Sequence, residues 1–316
     1  MQAIVFDGEA RYVDDYAEPQ CEQGQACIAV ESVGICRTDL EILQGYLGFK
    51  GVIGHEFVGT VINGPERWLG KRVTSEINCP CGVCGFCLGG LGGHCPNRSV
   101  IGIVGHDGAM AEKIVVPANN LHKVPDTISN TEAVFIEPLA AAFEILRQVD
   151  VNLANTVVLG DGKLGQLVAR VLKPRAASLV IVGKHAAKLD AAEKQGIQGC
   201  LLEDFHPTGE TDIVVDATGT ASGFKLAMKT VRPRGTIVLK STFAADSGIN
   251  LAPIVINEIT LVGSRCGPFG EAIRALASGD VDISAMVSAQ YSLQQGVEAL
   301  RAAANGENLK VIVDVK

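Results

Sequence analysis

Residues 156–165 read Thr156-Val-Val-Leu-Gly160-Asp-Gly162-Lys163-Leu164-Gly165, a short apolar strand that runs into Gly160-x-Gly162-x-x-Gly165 and then into a helical pattern from Gln166 to Lys173. On its own the glycine pattern carries little weight. Here it lies between a strand and a helix, and a second apolar strand, Ser178-Leu-Val-Ile-Val-Gly183, follows at the distance a strand–helix–strand unit needs. The glycines make the sharp turn, let a pyrophosphate approach the backbone, and let the helix pack on the sheet with its N-terminus toward the anion. Dinucleotide binding is therefore preferred to a purely structural glycine turn. Further apolar runs follow at α/β spacing: Asp212-Ile-Val-Val-Asp-Ala217, Gly235-Thr-Ile-Val-Leu239 and Glu258-Ile-Thr-Leu-Val-Gly263. Their continuous β-branched character predicts strands buried on both faces, hence one doubly wound parallel sheet in an α/β protein.

The end of the second strand bears on the choice of dinucleotide. An NAD site usually places Asp or Glu there to accept hydrogen bonds from the ribose hydroxyls. This chain has Gly183, followed by Lys184 and His185, with Lys188 one turn on. Without that carboxylate nothing at the strand end repels a 2′-phosphate, and the basic residues attract one. NADP(H) is therefore expected ahead of NAD(H). The alternative is that Lys184 and Lys188 are ordinary solvated residues at a helix start and that either dinucleotide is accepted.

Upstream lies Cys81-Gly-Val-Cys84-Gly-Phe-Cys87, with Cys95 eight positions further on. Four thiolates so spaced can enclose one tetrahedral zinc, and the Gly-Gly-Leu-Gly-Gly stretch before Cys95 gives the turn that brings in the fourth sulfur. A complete thiolate set leaves no open position, so this zinc is expected to be structural. Disulfides are the alternative, but the apolar start Met1-Gln-Ala-Ile-Val-Phe has no secretory leader and points to a reducing, cytoplasmic compartment. Cys79 fits the spacing poorly and is read as a bystander, and His94 is not needed to complete the set.

The 316 residues suggest two domains, and 47% hydrophobic residues against 20% charged provide ample core. No apolar run approaches a membrane span. The net charge of −8 and a pI near 5.3 argue against binding to a phosphate backbone, and 5% aromatic residues leave little for stacking bases. A nucleic-acid-binding zinc finger fails on the same charge and on the missing histidine pair.

The first 140 residues read as short strands punctuated by glycine, among them Gln25–Val30, a run from Gly51, and Val58–Ile62. Between them stand Gly34-Ile-Cys36-Arg37-Thr38-Asp39 and Gly54-His55-Glu56-Phe57, and later Ile136-Glu137-Pro-Leu139. Cysteine, histidine and carboxylate all ligate zinc, and an incomplete protein set leaves room for water or substrate. Singly, each has a plainer reading: a buried cysteine as a small hydrophobe, a hydrogen-bonded His-Glu pair, an acid before a proline.

Taken in order, these segments resemble the zinc-dependent medium-chain dehydrogenase/reductase superfamily of alcohol, polyol, threonine and glucose dehydrogenases. The resemblance also takes in Asp107-Gly-Ala-Met-Ala-Glu112, Ala217-Thr218-Gly219 and Gly263-Ser-Arg-Cys-Gly267, and so spans nearly the whole chain. It implies a GroES-like, β-rich catalytic domain from residues 1–139 and 267–316, a Rossmann domain from 140–266, and an active site in the cleft between them. It further implies Cys36 and His55 as catalytic zinc ligands with Glu56 and Glu137 as the carboxylates of the site; which of the two acids ligates is left open. Alcohol dehydrogenases often carry cysteine where Glu137 falls, whereas polyol- and glucose-type relatives use an acid, so a polyol or sugar is the leading substrate. A simple secondary alcohol, an aldehyde or a biosynthetic intermediate is the alternative. Asp39 is similar to the carboxylate that orients the histidine ligand, Thr38 to the hydroxyl that relays a proton, and Arg37 to a pyrophosphate contact. The cofactor contacts implied are Gly160, Gly162, Lys163, Leu164, Gly165, Gly183, Lys184, His185, Lys188, Thr218 and Gly219. Two zincs per chain, a homodimer or homotetramer, and a small-molecule substrate complete the expectation, against a non-catalytic zinc- and nucleotide-binding regulator as the rival.

Overall fold

The computed structural model describes residues 1–242 and 248–316. The chain divides into two compact units, Met1–Glu137 with Ile273–Ser278 and Val287–Lys316, and Pro138–Ala272 with Gly279–Met286.

The second unit is built on six strands whose neighbours are all parallel: Gln198–Leu201, Ser178–Gly183, Asn155–Leu159, Thr211–Asp216, Val231–Leu239 and Thr260–Gly263, in that spatial order. Numbered along the chain this is 3-2-1-4-5-6, the doubly wound order of dinucleotide-binding sheets. Val158, Val214, Val215, Ile237 and Val238 are fully buried, so the central strands are covered on both faces as their β-branched runs predict. The helix that follows the strand Asn155–Leu159 spans Lys163–Leu172 and starts three residues earlier than expected, because extended Gly162 caps it and its first turn lies inside the glycine motif. The strand expected from Gly235 begins at Val231, and the one expected from Glu258 begins at Thr260. Gln198–Leu201 was not anticipated: it is a short edge strand with Gly199 and Cys200 at its centre.

In the first unit the strands expected at Gln25 and Val58 extend to Gln25–Gly34 and Glu56–Asn63 and pair antiparallel, with Gly34 opposite Glu56. Lys310–Asp314 adds to the other side of Gln25–Gly34, Ile312 opposite Gly34, and Val287–Ser292 lies parallel to it. Phe57, Val33, Val311 and Ile312 are buried to within 1% exposure, which fixes the register of these central strands. Among the described residues no helix is long and apolar enough to cross a membrane.

Candidate active site

Two strand ends lying side by side assemble the first cluster. Cys36 follows the end of Gln25–Gly34 and caps the helix Arg37–Ile42; His55 immediately precedes Glu56, the first residue of the adjoining strand. The ligand atoms of Cys36, His55 and Glu56 all lie within 4.8 Å of one another. Asp39, fully buried in the first turn of the helix, accepts the Cys36 backbone N–H through Oδ2 at 2.7 Å and sets Oδ1 3.3 Å from His55 Nδ1. With Nδ1 facing a carboxylate, Nε2 is the nitrogen left for a metal. Burial alone would lower the His55 pKa, yet the Asp39 and Cys36 charges carry it well above its ordinary value. Sulfur, nitrogen and carboxylate together suit zinc. Thr38 Oγ1 lies 3.9 Å from Cys36 Sγ. Glu137, half-buried at the start of the helix Ile136–Gln148, is outside this set of three.

Sequence reading missed Lys310. Its side chain is fully buried, pairs with the equally buried Glu56, and carries Nζ 5.1 Å from the centroid of the Phe135 ring. A Cβ on Gly34 would overlap the end of Lys310 and crowd Glu56, so glycine there is what admits the pair. The available signal was a charged residue at the head of the apolar run Val311-Ile-Val313.

The second cluster is Cys81, Cys84, Cys87 and Cys95. Sulfur–sulfur separations are 3.9 Å for Cys81–Cys87, 3.4 Å for Cys84–Cys87, 3.7 Å for Cys84–Cys95 and 3.6 Å for Cys95–Cys81. Disulfides are excluded at these distances, and the corners of a tetrahedron with zinc–sulfur bonds of about 2.3 Å are about 3.8 Å apart. The backbone N–H groups of Val83 and then Cys84 bring the Cys81 thiol down to about 6, toward thiolate. Cys79 is buried outside the set, its thiol raised to about 11 by that burial, and His94 is exposed.

In the second unit, Gly162 heads the helix Lys163–Leu172, and a Cβ on Gly165 would overlap the Gly160 carbonyl, the close approach expected of the third glycine. Asp161, between the first two glycines, is 6% exposed; its Oδ2 accepts the backbone N–H groups of Lys184 and His185, each at 2.7 Å, and lies 2.9 Å from His185 Nδ1. Lys184 is exposed and His185 partly so, but Lys188 is buried, which withdraws it from the basic surface expected at this turn. Thr218 donates to Asp216 Oδ1 through its backbone N–H at 2.9 Å and its hydroxyl at 2.7 Å, at the carboxyl end of the sheet where open α/β sheets bind ligands. Burial raises the Asp216 carboxyl above its ordinary value. Arg37 is exposed on the helix Arg37–Ile42, 3.5 Å from Glu41.

Residues 22–126 match the alcohol dehydrogenase GroES-like domain and residues 164–278 the zinc-binding dehydrogenase family. The erythritol/L-threitol dehydrogenase of Mycolicibacterium smegmatis is 30% identical over 98% of this chain and 96% of its own length. The D-arabitol-phosphate dehydrogenase of Enterococcus avium is 29% identical over 95% of this chain and 92% of its own. A zinc-binding dehydrogenase of Sinorhizobium meliloti 1021, solved bound to NADP, superposes with a TM-score of 0.90 at 25% identity over 99% of both chains. The chain belongs to the zinc-dependent medium-chain dehydrogenase/reductase superfamily, with a GroES-like domain and a Rossmann-type parallel sheet. It is an NAD(P)-dependent zinc dehydrogenase.

Proposed function

We propose that the protein oxidises or forms a polyol or sugar alcohol, exchanging a hydride between that substrate and NADP(H). The observation that carries this reading is the incomplete donor set of Cys36, His55 and Glu56, since three protein ligands leave a position for a substrate oxygen. A polyol is supported by an acid rather than cysteine at Glu137 and by the polyol substrates for which the two curated relatives are named. The donor sets support two zincs per chain, one at Cys36 and His55 with a carboxylate, one enclosed by the four thiolates.

When bound, the catalytic zinc supplies Lewis acidity and the dinucleotide the hydride acceptor. The chain's own groups do the rest. Asp39 faces His55 Nδ1 at 3.3 Å and orients the ring, and Thr38, beside Cys36, would accept the substrate hydroxyl's proton while passing its own on toward solvent in the oxidative direction. Lys310 pairs with Glu56 and so meets the charge of that carboxylate. The glycine loop, Thr218 and Gly219 receive the dinucleotide, and exposed Lys184 with His185 favours the phosphorylated form. Open thiolates at 81–95 call for a reducing compartment such as the cytoplasm, and the family likeness supports a homodimer or homotetramer.

The test is turnover by purified, zinc-analysed protein with NADP(H) and NAD(H) against polyols, sugars, secondary alcohols and aldehydes. Oxidation of a polyol that vanishes in Cys36→Ala, with the second zinc retained, is the expected result. Two bound zincs and a bound dinucleotide without turnover on any of these substrates would sink the proposal.

A further inference from the structure

The glycine loop and the end of the second strand hold an arrangement that dinucleotide binding does not itself require. Leu159 and Val182 are paired neighbours in the parallel sheet, so the residues just beyond the two strand ends face one another. There Asp161 reaches across to the turn after Gly183, and its Oδ2 gathers three donors: the N–H groups of Lys184 and His185, and His185 Nδ1. A Cβ on Gly183 would overlap the Asp161 side chain. With Asp161 placed as it is, position 183 has no room for a side chain, an acid included.

We propose that Asp161 is a positioning residue that presents His185 to the 2′-phosphate of NADP(H). The proposal rests on the dinucleotide reading above and assigns its specificity. A carboxylate only accepts, so Nδ1 carries the proton between them, and Nε2 is the nitrogen left for a ligand. In the imidazolium form Nε2 donates to a phosphate oxygen, a charge-assisted bond. A carboxylate near the ribose would by itself repel a 2′-phosphate and select NAD(H). Here its charge is met by three converging donors and the side chain is 9% exposed, whereas the imidazole is 31% exposed. What the turn offers to solvent is the histidine together with Lys184, and both are basic.

The experiment is titration of NADPH and NADH, without substrate, into wild-type protein, Asp161→Asn, His185→Ala and His185→Gln, with thermal unfolding of each. Wild type is expected to bind NADPH more tightly than NADH. Asp161→Asn and both His185 variants are expected to weaken NADPH binding by about tenfold or more, as loss of a charge-assisted hydrogen bond does, and to weaken NADH binding far less, so that the preference for NADPH falls. A turn that had merely loosened would weaken both dinucleotides alike, and that result overturns the proposal. So does tighter NADPH binding in Asp161→Asn, which would make the carboxylate a repulsive element, or a wild type that prefers NADH. Wild-type protein that binds neither dinucleotide would instead overturn the cofactor reading on which the proposal stands.

Discussion

Lys310 Nζ and Glu56 Oε2 form an ion pair that water does not reach, neither side chain having any exposed surface. The pair joins positions 254 residues apart and sets the charge balance beside Cys36 and His55. Desolvating two charges is costly, so such a pair is poor evidence of net stability, but removing one partner strands the other. Lys310→Met is expected to lower unfolding free energy by about 3 kcal/mol or more in denaturant titrations. Adding Glu56→Gln should recover part of that loss; a double variant as unstable as the single one would show that packing of the lysine stem, and not charge, is what matters.

Gly34→Ala addresses the same pair through space alone. The added methyl overlaps the end of Lys310, and the neighbouring strands leave little room to yield. A loss of about 1–3 kcal/mol is expected, as for overpacked cores. An unchanged unfolding midpoint would mean that the strand Lys310–Asp314 can shift.

The two proposed metal sites should separate by mutation. Cys81→Ser is expected to reduce zinc from about two to about one per chain and to lower the melting temperature while leaving hydride transfer in the surviving folded fraction. Cys36→Ala should remove the other zinc and all turnover. Elemental analysis of both variants decides the assignment.

Thr38→Val keeps size and removes the hydroxyl beside Cys36. We expect kcat/KM to fall by about 10²–10⁴-fold with zinc content and dinucleotide affinity intact, the signature of a lost proton-transfer group. A change below about twofold would leave Thr38 with only a local structural part.

Tyr16 gives a pH test away from the metals. Its hydroxyl donates to Asp107 Oδ2 at 2.9 Å, and burial, then the Asp107 carboxylate, push the phenol up to about 12. Because the folded value is raised, the contribution is full below the ordinary value of 10.0 and is lost as pH rises through about 12. Alkaline titration of phenolate absorbance should show one of the 4 tyrosines lagging, and Tyr16→Phe should remove that late step.

What the sequence disclosed was local. The four thiolates and the three glycines declare themselves because their spacing within a few residues is the geometry, and continuous runs such as Ile213-Val-Val215 announce strands covered on both faces. Cys36, His55 and Glu56 were legible only in combination, since nothing in a short window says that two strand ends lie side by side. Lys310 and Asp161 were not read at all. A lysine opening an apolar strand looks like an edge residue until its partner across the sheet is known, and the aspartate occupied a position the glycine motif leaves unspecified. Lys188 was counted as surface from its place at a helix start, a view that cannot tell which face of the helix lies against the sheet.

The pairing of Lys310–Asp314 with Gln25–Gly34 has a consequence for the order of synthesis. A growing chain exposes Cys36, His55 and Glu56 early, then the entire parallel sheet, and only afterwards Lys310. Until the strand Lys310–Asp314 docks, Glu56 lacks its ion pair with Lys310, so the nascent protein holds an unfinished form of the proposed metal site while its nucleotide-binding half is free to fold. Completion of the proposed metal site thereby waits on the synthesis of residues 310–314, long after its first donors have emerged.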